Sequence, residues 1–160
     1  MFSFCSRGPF IGLETGHGDV RCSKKLEGEV HVKAGHFSCP LVHSAFAEVK
    51  LFGERGDGQV QLGACYSPRA LFTLPKDKGS FYCQTAQGFL GVLGGTDSVE
   101  VKCLDGYCDI RSESSKEARV HINSCPPSAK SLVSAKGDVY LSFGEQQAFS
   151  VAVATKEGEV

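Results

Sequence analysis

The feature that most constrains the fold is a short phrase that recurs along the chain. A turn-forming or small residue is followed by a polar residue and then by an apolar–polar–apolar triplet, as in Gly18-Asp-Val20-Arg-Cys22. This alternation has the period of two that lets a β-strand bury one face. The other copies are Gly28-Glu-Val30-His-Val32, Ala47-Glu-Val49-Lys-Leu51, Gly58-Gln-Val60-Gln-Leu62, Ser98-Val99-Glu-Val101-Lys-Cys103, Gly106-Tyr-Cys108-Asp-Ile110, Arg119-Val120-His-Ile122, Gly137-Asp-Val139-Tyr-Leu141 and Gly158-Glu-Val160.

The spacing of these copies predicts how the strands are arranged. Their first apolar positions are separated by gaps that cluster near one, two and four times a unit of about ten residues. An element every ten residues or so, with a coil of roughly twenty, is what a β-solenoid needs, because each coil buries its inward face on the next. We therefore predict an all-β, single-stack solenoid. The residues predicted to face inward are Val20, Val30, Val49, Val60, Val101, Ile110, Val139 and Leu141.

The two ends of the chain depart from this pattern. Residues 1–15 contain no clean copy of the phrase, so we expect an irregular N-terminal segment followed by a β-repeat domain over residues 16–160. The chain stops at Gly158-Glu-Val160, the opening of another copy, which suggests that the repeat is truncated there. An unfinished coil leaves backbone groups unpaired, and such an end can associate with the end of another chain.

Charge and hydropathy disfavour two classes of partner and suggest a compartment. The net charge is −1 and no basic stripe is present, so no nucleic acid is expected. No run of about 18 apolar residues occurs, so no membrane span is expected. The N-terminus has no basic start followed by a long apolar stretch and is not a secretory signal. We therefore expect an intracellular protein, cytoplasmic or mitochondrial.

The chain contains eight cysteines, an even number that could form a disulfide framework. Without a secretory signal, reduced thiols that pack as small buried hydrophobes are favoured, with disulfides or a metal site as alternatives. The cysteines are Cys5, Cys22, Cys39, Cys65, Cys83, Cys103, Cys108 and Cys125.

Two groups of residues have spacings close to those of zinc ligands. One group is Cys103, Cys108, His121 and Cys125, and the other is His31, His36, Cys39 and His43. Alternation along the strands directs Cys103 inward but His121 outward, and ligands on opposite faces cannot close a tetrahedron. We predict core cysteines and surface histidines here, and no metal or other cofactor.

The sequence contains few residue patterns typical of catalytic sites. No Gly-x-Ser-x-Gly elbow occurs, and the glycine-rich run over residues 88–95 is not followed by Gly-Lys-Ser/Thr. The tripeptide Arg55-Gly56-Asp57 matches a cell-attachment motif, but three residues recur by chance. In some parallel β-helices, acidic residues on a stacked face cut polysaccharides. For the exposed carboxylates of this chain, a solvated charged face is the favoured interpretation. The exposed carboxylates are Asp19, Glu29, Glu48, Glu100, Asp109 and Asp138. We assign no catalytic residue and expect no enzyme.

The stretch from Ser98 to Val160 resembles the putative-adhesin family of β-repeat proteins, a domain of unknown function. The family's pattern of Gly-Asp-Val strands around an apolar strand is matched by Gly137-Asp-Val-Tyr-Leu141, Ala148-Phe-Ser-Val-Ala-Val-Ala154 and Lys156-Glu-Gly-Glu-Val160. The cysteine content is similar to that of animal, intracellular members. The resemblance implies a right-handed β-solenoid-like fold and carries over no catalytic residue. The expected function is a non-catalytic scaffold or protein-interaction module with an unidentified protein partner; the alternative is a carbohydrate-active or metal-binding β-helix.

Overall fold

A computed structural model describes residues 2–15, 18–52, 58–75, 79–95, 97–112, 114–126, 128–145 and 150–160, with the backbone alone for residues 2–8. Over these ranges the regular structure consists of β-strands. The strands are β1 (Phe2–Glu14), β2 (Asp19–Ala34), β3 (His36–His43), β4 (Ala47–Leu51), β5 (Gln59–Thr73), β6 (Ser80–Leu93), β7 (Ser98–Ser112), β8 (Glu117–Ser124), β9 (Ser131–Ala135), β10 (Asp138–Phe143) and β11 (Val151–Thr155).

All the strand pairs are parallel, and each coil pairs with the next along the chain. The main path runs β1-β2-β3-β5-β6-β7-β8-β10, with β4 between β2 and β5, β9 beside β7, and β11 beside β9. Val20 is opposite Phe37, and Phe37 is opposite Val60, so one step along the stack takes about twenty residues. The predicted all-β solenoid is confirmed.

Each coil contains three runs of strand. In β2 the runs are residues 19–22, 25–27 and 29–34, and the register with the neighbouring coils shifts between them. Corresponding runs of successive coils stack into three ladders, which we number 1, 2 and 3 in that order. Ladder 2 lies between the copies of the recurring phrase, which describes ladders 1 and 3 only.

The core fills the inside of the stack. Seven of the eight residues predicted to face inward are buried, and Leu141 packs against the core while remaining partly exposed. Leu141 lies on β10, the last strand on the main path, where it is covered from the β8 side only. The bulkiest core residues, Phe37, Phe72 and Phe81, are fully buried, and the last two form an edge-on ring pair at 5.0 Å.

Glycines shape the corner between ladders 2 and 3. Gly88 has φ +100° and Gly106 has φ +150°, and the two are aligned on adjacent coils. A Cβ on Gly88 would overlap the carbonyl oxygen of Ser67, and a Cβ on Gly106 would overlap that of Gly88. Only glycine therefore lets three successive backbones stack this closely.

The ends of the chain differ from expectation. Residues 2–14 are not irregular but form β1, which pairs with β2 through most of its length. The recurring phrase is absent there, yet Ile11 and Leu13 alternate as inward residues and supply the same period. At the other end, the Val139 amide donates a hydrogen bond to the Glu159 carbonyl at 2.8 Å, while Val160 is exposed and outside any strand.

Candidate functional site

The outer surface of ladder 3, which we call the lateral face, carries the most distinctive side chains of the described chain. From β1 to β7 its outward residues form three columns that run along the stack, and the second and third columns continue on β9 and β11 through Leu132 and Ala152 and through Ser134 and Ala154. Column 1 contains Phe10, Glu29, Phe46, Arg69, Phe89 and Tyr107. Column 2 contains Gly12, His31, Glu48, Leu71, Gly91 and Asp109. Column 3 contains Glu14, Lys33, Lys50, Thr73, Leu93 and Arg111.

Apolar side chains on this face lie next to outward glycines. Phe10 is 62% exposed and Leu93 is 49% exposed. A Cβ on Gly12 would lie 3.0 Å from the Phe10 ring, and one on Gly91 would lie 2.8 Å from a Leu71 methyl group. The large side chains therefore cover the backbone of the glycines, an arrangement that compensates for glycine in a strand.

Two shallow depressions follow from this arrangement. One of about 300 Å³ has a lining that includes Gly12, His31, Lys33 and Lys50. The other, of about 230 Å³, has a lining that includes Leu71, Phe89, Gly91, Leu93, Asp109 and Arg111. Glu48 lines both depressions, so they form one continuous surface along the stack.

His31 is held at the centre of the first depression. Its ring stacks on Phe10 with centroids 5.1 Å apart and lies 5.5 Å from the Phe46 ring. Nε2 is 2.7 Å from a Glu29 carboxylate oxygen, and Nδ1 is 3.6 Å from one of Glu48. Two carboxylates on successive coils thus flank one imidazole. Alternation along the strands predicts that all three residues face outward, but it does not predict this grouping.

Charges on the outer surface are paired along the strands. An acidic residue and the cation two positions away point to the same side, because side chains alternate along a strand. Glu48 and Lys50 are 2.7 Å apart, and Asp109 and Arg111 are 2.8 Å apart. The same arrangement recurs for Asp19 with Arg21, Lys25 with Glu27, and Glu117 with Arg119. The solvated charged face expected from the sequence is present at these positions, and its charges are paired.

These contacts favour the charged form of the Glu48 carboxylate. The hydrogen bond from Lys50, followed by the charges of Lys50 and His31, lowers the pKa of Glu48. A glycosidase general acid needs a pKa raised towards neutrality so that the group retains its proton. The pKa of Glu48 is shifted in the opposite direction, so Glu48 does not meet this requirement for a general acid.

The first group with spacing close to that of zinc ligands is dispersed. Cys108 is buried in the core, whereas His121 lies on the outer surface and forms a 2.8 Å hydrogen bond with Ser142. Cys103 was predicted to face inward, but it is half-exposed. The register shifts between Val101 and Leu104, and Leu104 takes the inward position instead.

The second set is dispersed as well. Cys39 lies in the core, His31 lies on ladder 3, and His43 is exposed beside Tyr66 on ladder 2. Across the described ranges, no group of three or more His, Cys, Asp or Glu residues is placed to hold a metal ion.

The described thiols behave as core residues. Within the described chain seven cysteines lie outside any disulfide and five of them are buried, as predicted for reduced thiols. Burial raises the pKa of Cys65, and it raises the pKa values of Cys83 and Cys108 to about 12. A hydrogen bond with the Cys22 thiol lowers the pKa of Cys39, which occupies the equivalent position one coil away.

Other predicted features lie apart from this face or outside the described ranges. Glu100 lines a separate depression on ladder 1 with Arg119 and Tyr140, and Asp138 contacts the Tyr140 hydroxyl at 3.4 Å. Arg55-Gly56-Asp57 lies outside the described residues. Within the part of the chain that is described, no helix has the length and hydropathy needed to cross a membrane.

Comparison with known proteins identified no relative. No family model, no curated protein and no solved structure matches the chain. The β-solenoid fold is therefore established from the structure itself, and membership of the putative-adhesin family stays a prediction.

Proposed function

We propose that this chain is a non-catalytic β-solenoid scaffold that binds a protein partner on its lateral face. The observation that carries the proposal is the exposure of Phe10 and Leu93 on a sheet surface whose backbone is hydrogen-bonded to the next coil at Phe10 and to coils on both sides at Leu93. Apolar residues surrounded by polar and charged ones are the usual composition of a protein interface.

Charge on this face also favours a protein over a nucleic acid. Lys50 and Arg111 each contact a carboxylate two residues earlier in the same strand. Binding to the phosphates of a nucleic acid requires Lys and Arg side chains that can displace the counterions condensed on them. A partner surface of mixed charge can instead contact both members of each pair.

The experiment is affinity capture with residues 1–160 as bait, compared across matched variants. Leu93→Asp places a carboxylate in the apolar part of the lateral face, whereas Tyr140→Asp makes the same change on ladder 1, where Tyr140 is 45% exposed. We expect proteins retained by the wild type and by Tyr140→Asp to be lost from Leu93→Asp. Equal retention by both variants, with both chains folded by circular dichroism, would contradict the proposal.

One observation favours the alternative of a carbohydrate-active protein. Glu29 and Glu48 lie on successive coils, and both contact His31 at the edge of an open depression. If this group acts on a polysaccharide, the wild type should release reducing ends from some member of a polysaccharide panel and Glu48→Gln should not. Absence of release by the wild type across the panel would remove the support that this group gives.

A further inference from the structure

The middle of the lateral face has a symmetrical arrangement of side chains. Four successive coils present the pairs Glu48 and Lys50, Leu71 and Thr73, Gly91 and Leu93, and Asp109 and Arg111 in columns 2 and 3. We call these eight residues the central block. Its two inner coils are largely apolar, and each of its two outer coils carries an acid in column 2 and a base in column 3.

We propose that a second copy of this chain packs against the central block about a two-fold axis parallel to the stack. The inference rests on the proposed function, because it names the partner that the lateral face binds. Rotation about an axis that runs between columns 2 and 3 exchanges the two columns within each coil. Glu48 then faces Lys50 of the second copy, and Asp109 faces Arg111.

The same rotation matches the apolar residues. Leu93, half of whose side chain surface is exposed, faces Gly91 of the second copy. The depression of about 230 Å³ beside Gly91 is lined by Leu71 and Phe89, which are apolar surfaces for an incoming leucine side chain. Each copy offers one leucine and one depression, so the contact is made twice, as an isologous interface requires.

The other way of packing the two faces is disfavoured by charge. A two-fold axis parallel to the strands would reverse the order of coils and leave the columns in place. Glu48 would then face Asp109, and Lys50 would face Arg111. Like charges directly opposite each other are destabilising, and they suppress wrong arrangements. The order of the charges therefore selects the arrangement in which the two stacks are parallel.

The size of the face sets the expected strength. Ladder 3 has eight stacked runs, and at about 4.8 Å per coil and about 17 Å along the strands its lateral face covers about 650 Å² on each copy. Stable interfaces bury about 800 Å² on each partner, and smaller ones are weak or transient. We expect a dimer that forms at micromolar concentration and dissociates on dilution.

The test is sedimentation velocity between about 5 and 500 μM, in buffer that keeps the thiols reduced, a range suited to a weak interface. The wild type should shift from monomer to dimer. Arg111→Asp should weaken association by about tenfold or more, because at the coil of Asp109 each copy then faces the other with carboxylates only. Combining it with Asp109→Arg restores an acid and a base in each copy and should return association to near the wild-type value.

Four results would overturn the inference. The first three are a wild type that stays monomeric throughout, a double variant that associates no better than Arg111→Asp, and a double variant that associates more tightly than the wild type. The third is expected if the coils run in reverse order, since the exchange would bring opposite charges together there. Growth beyond a dimer would also contradict the proposal, since an end-to-end contact does not close.

The control keeps this inference separable from the proposed function. Tyr140→Asp, on ladder 1, should dimerise as the wild type does, whereas Leu93→Asp should remain monomeric. A monomeric wild type whose captured proteins are still lost from Leu93→Asp would refute the second copy as partner and retain the lateral face as a binding surface. Failure of both experiments would refute both proposals.

Discussion

The corner glycines give the sharpest test of how the coils stack. Gly88 has φ +100° and lies against the Ser67 carbonyl, so Gly88→Ala adds a strained backbone conformation and a Cβ that overlaps a neighbouring coil. A residue held in a sparsely populated region costs about 1–3 kcal/mol, and the displacement of the next coil adds to that. We expect the variant to lose about 2–4 kcal/mol, a large share of the 5–15 kcal/mol typical of folded domains.

Gly12→Ala is the matched control. Gly12 lies in a strand without a left-handed backbone, and the nearest atom to an added Cβ is the movable ring of Phe10 at 3.0 Å. The substitution should change stability by less than about 1 kcal/mol. Urea unfolding followed by circular dichroism measures both variants, provided that the slopes of the transitions match. Equal midpoints for Gly88→Ala and Gly12→Ala would refute the close stacking described here.

Three further predictions concern the core, the thiols and pH. Phe81→Ala should cost about 3–5 kcal/mol in urea unfolding, and Phe10→Ala much less, because only the first removes a fully buried ring; similar losses would contradict the core assignment. Maleimide labelling of the folded protein should be fast at the partly exposed thiols and slow at the buried thiols, whose pKa values are raised furthest by burial. Mass spectrometry that found the reverse order would contradict this prediction. The fast thiols are Cys103 and Cys125, and the slow ones are Cys65, Cys83 and Cys108. Glu48→Gln should lower stability by less than about 1 kcal/mol at pH 7. This difference is fully present above the ordinary pKa of 4.5 and is lost as the pH falls through the lowered pKa, so a difference that grew in acid would be inconsistent with the Lys50 contact.

The sequence predicted the parts of the fold that depend on local alternation. Val20, Val30 and Val60 face inward because the period of two around them is unbroken, and the spacing of the phrases set the coil length. Ladder 2 was not predicted as a separate run. Its inward residues, such as Leu26 and Val42, lie between phrases, and a register shift precedes them.

The candidate site was harder to predict because its contacts join different coils. Phe10, His31 and Phe46 are far apart in sequence, and only the register of three coils brings their rings together. Cys103 was placed on the wrong side because a register shift follows Val101, and single-sequence alternation does not reveal such a shift. The signal that could have located the face is a glycine, such as Gly91, at an outward strand position beside large apolar residues.

The most direct test of the lateral face is carboxylate footprinting of the chain at low and high concentration. Four carboxylates are matched, since each is paired with a cation two residues later in its strand: Glu48 and Asp109 on the lateral face, Asp19 and Glu117 on ladder 1. Carbodiimide labelling followed by mass spectrometry reports the accessibility of each. We predict that labelling of Glu48 and Asp109 falls as the concentration rises, while labelling of Asp19 and Glu117 stays constant. Constant labelling at all four positions, or protection of the ladder 1 pair instead, would contradict the assignment of the lateral face as the surface that meets a second copy of this chain.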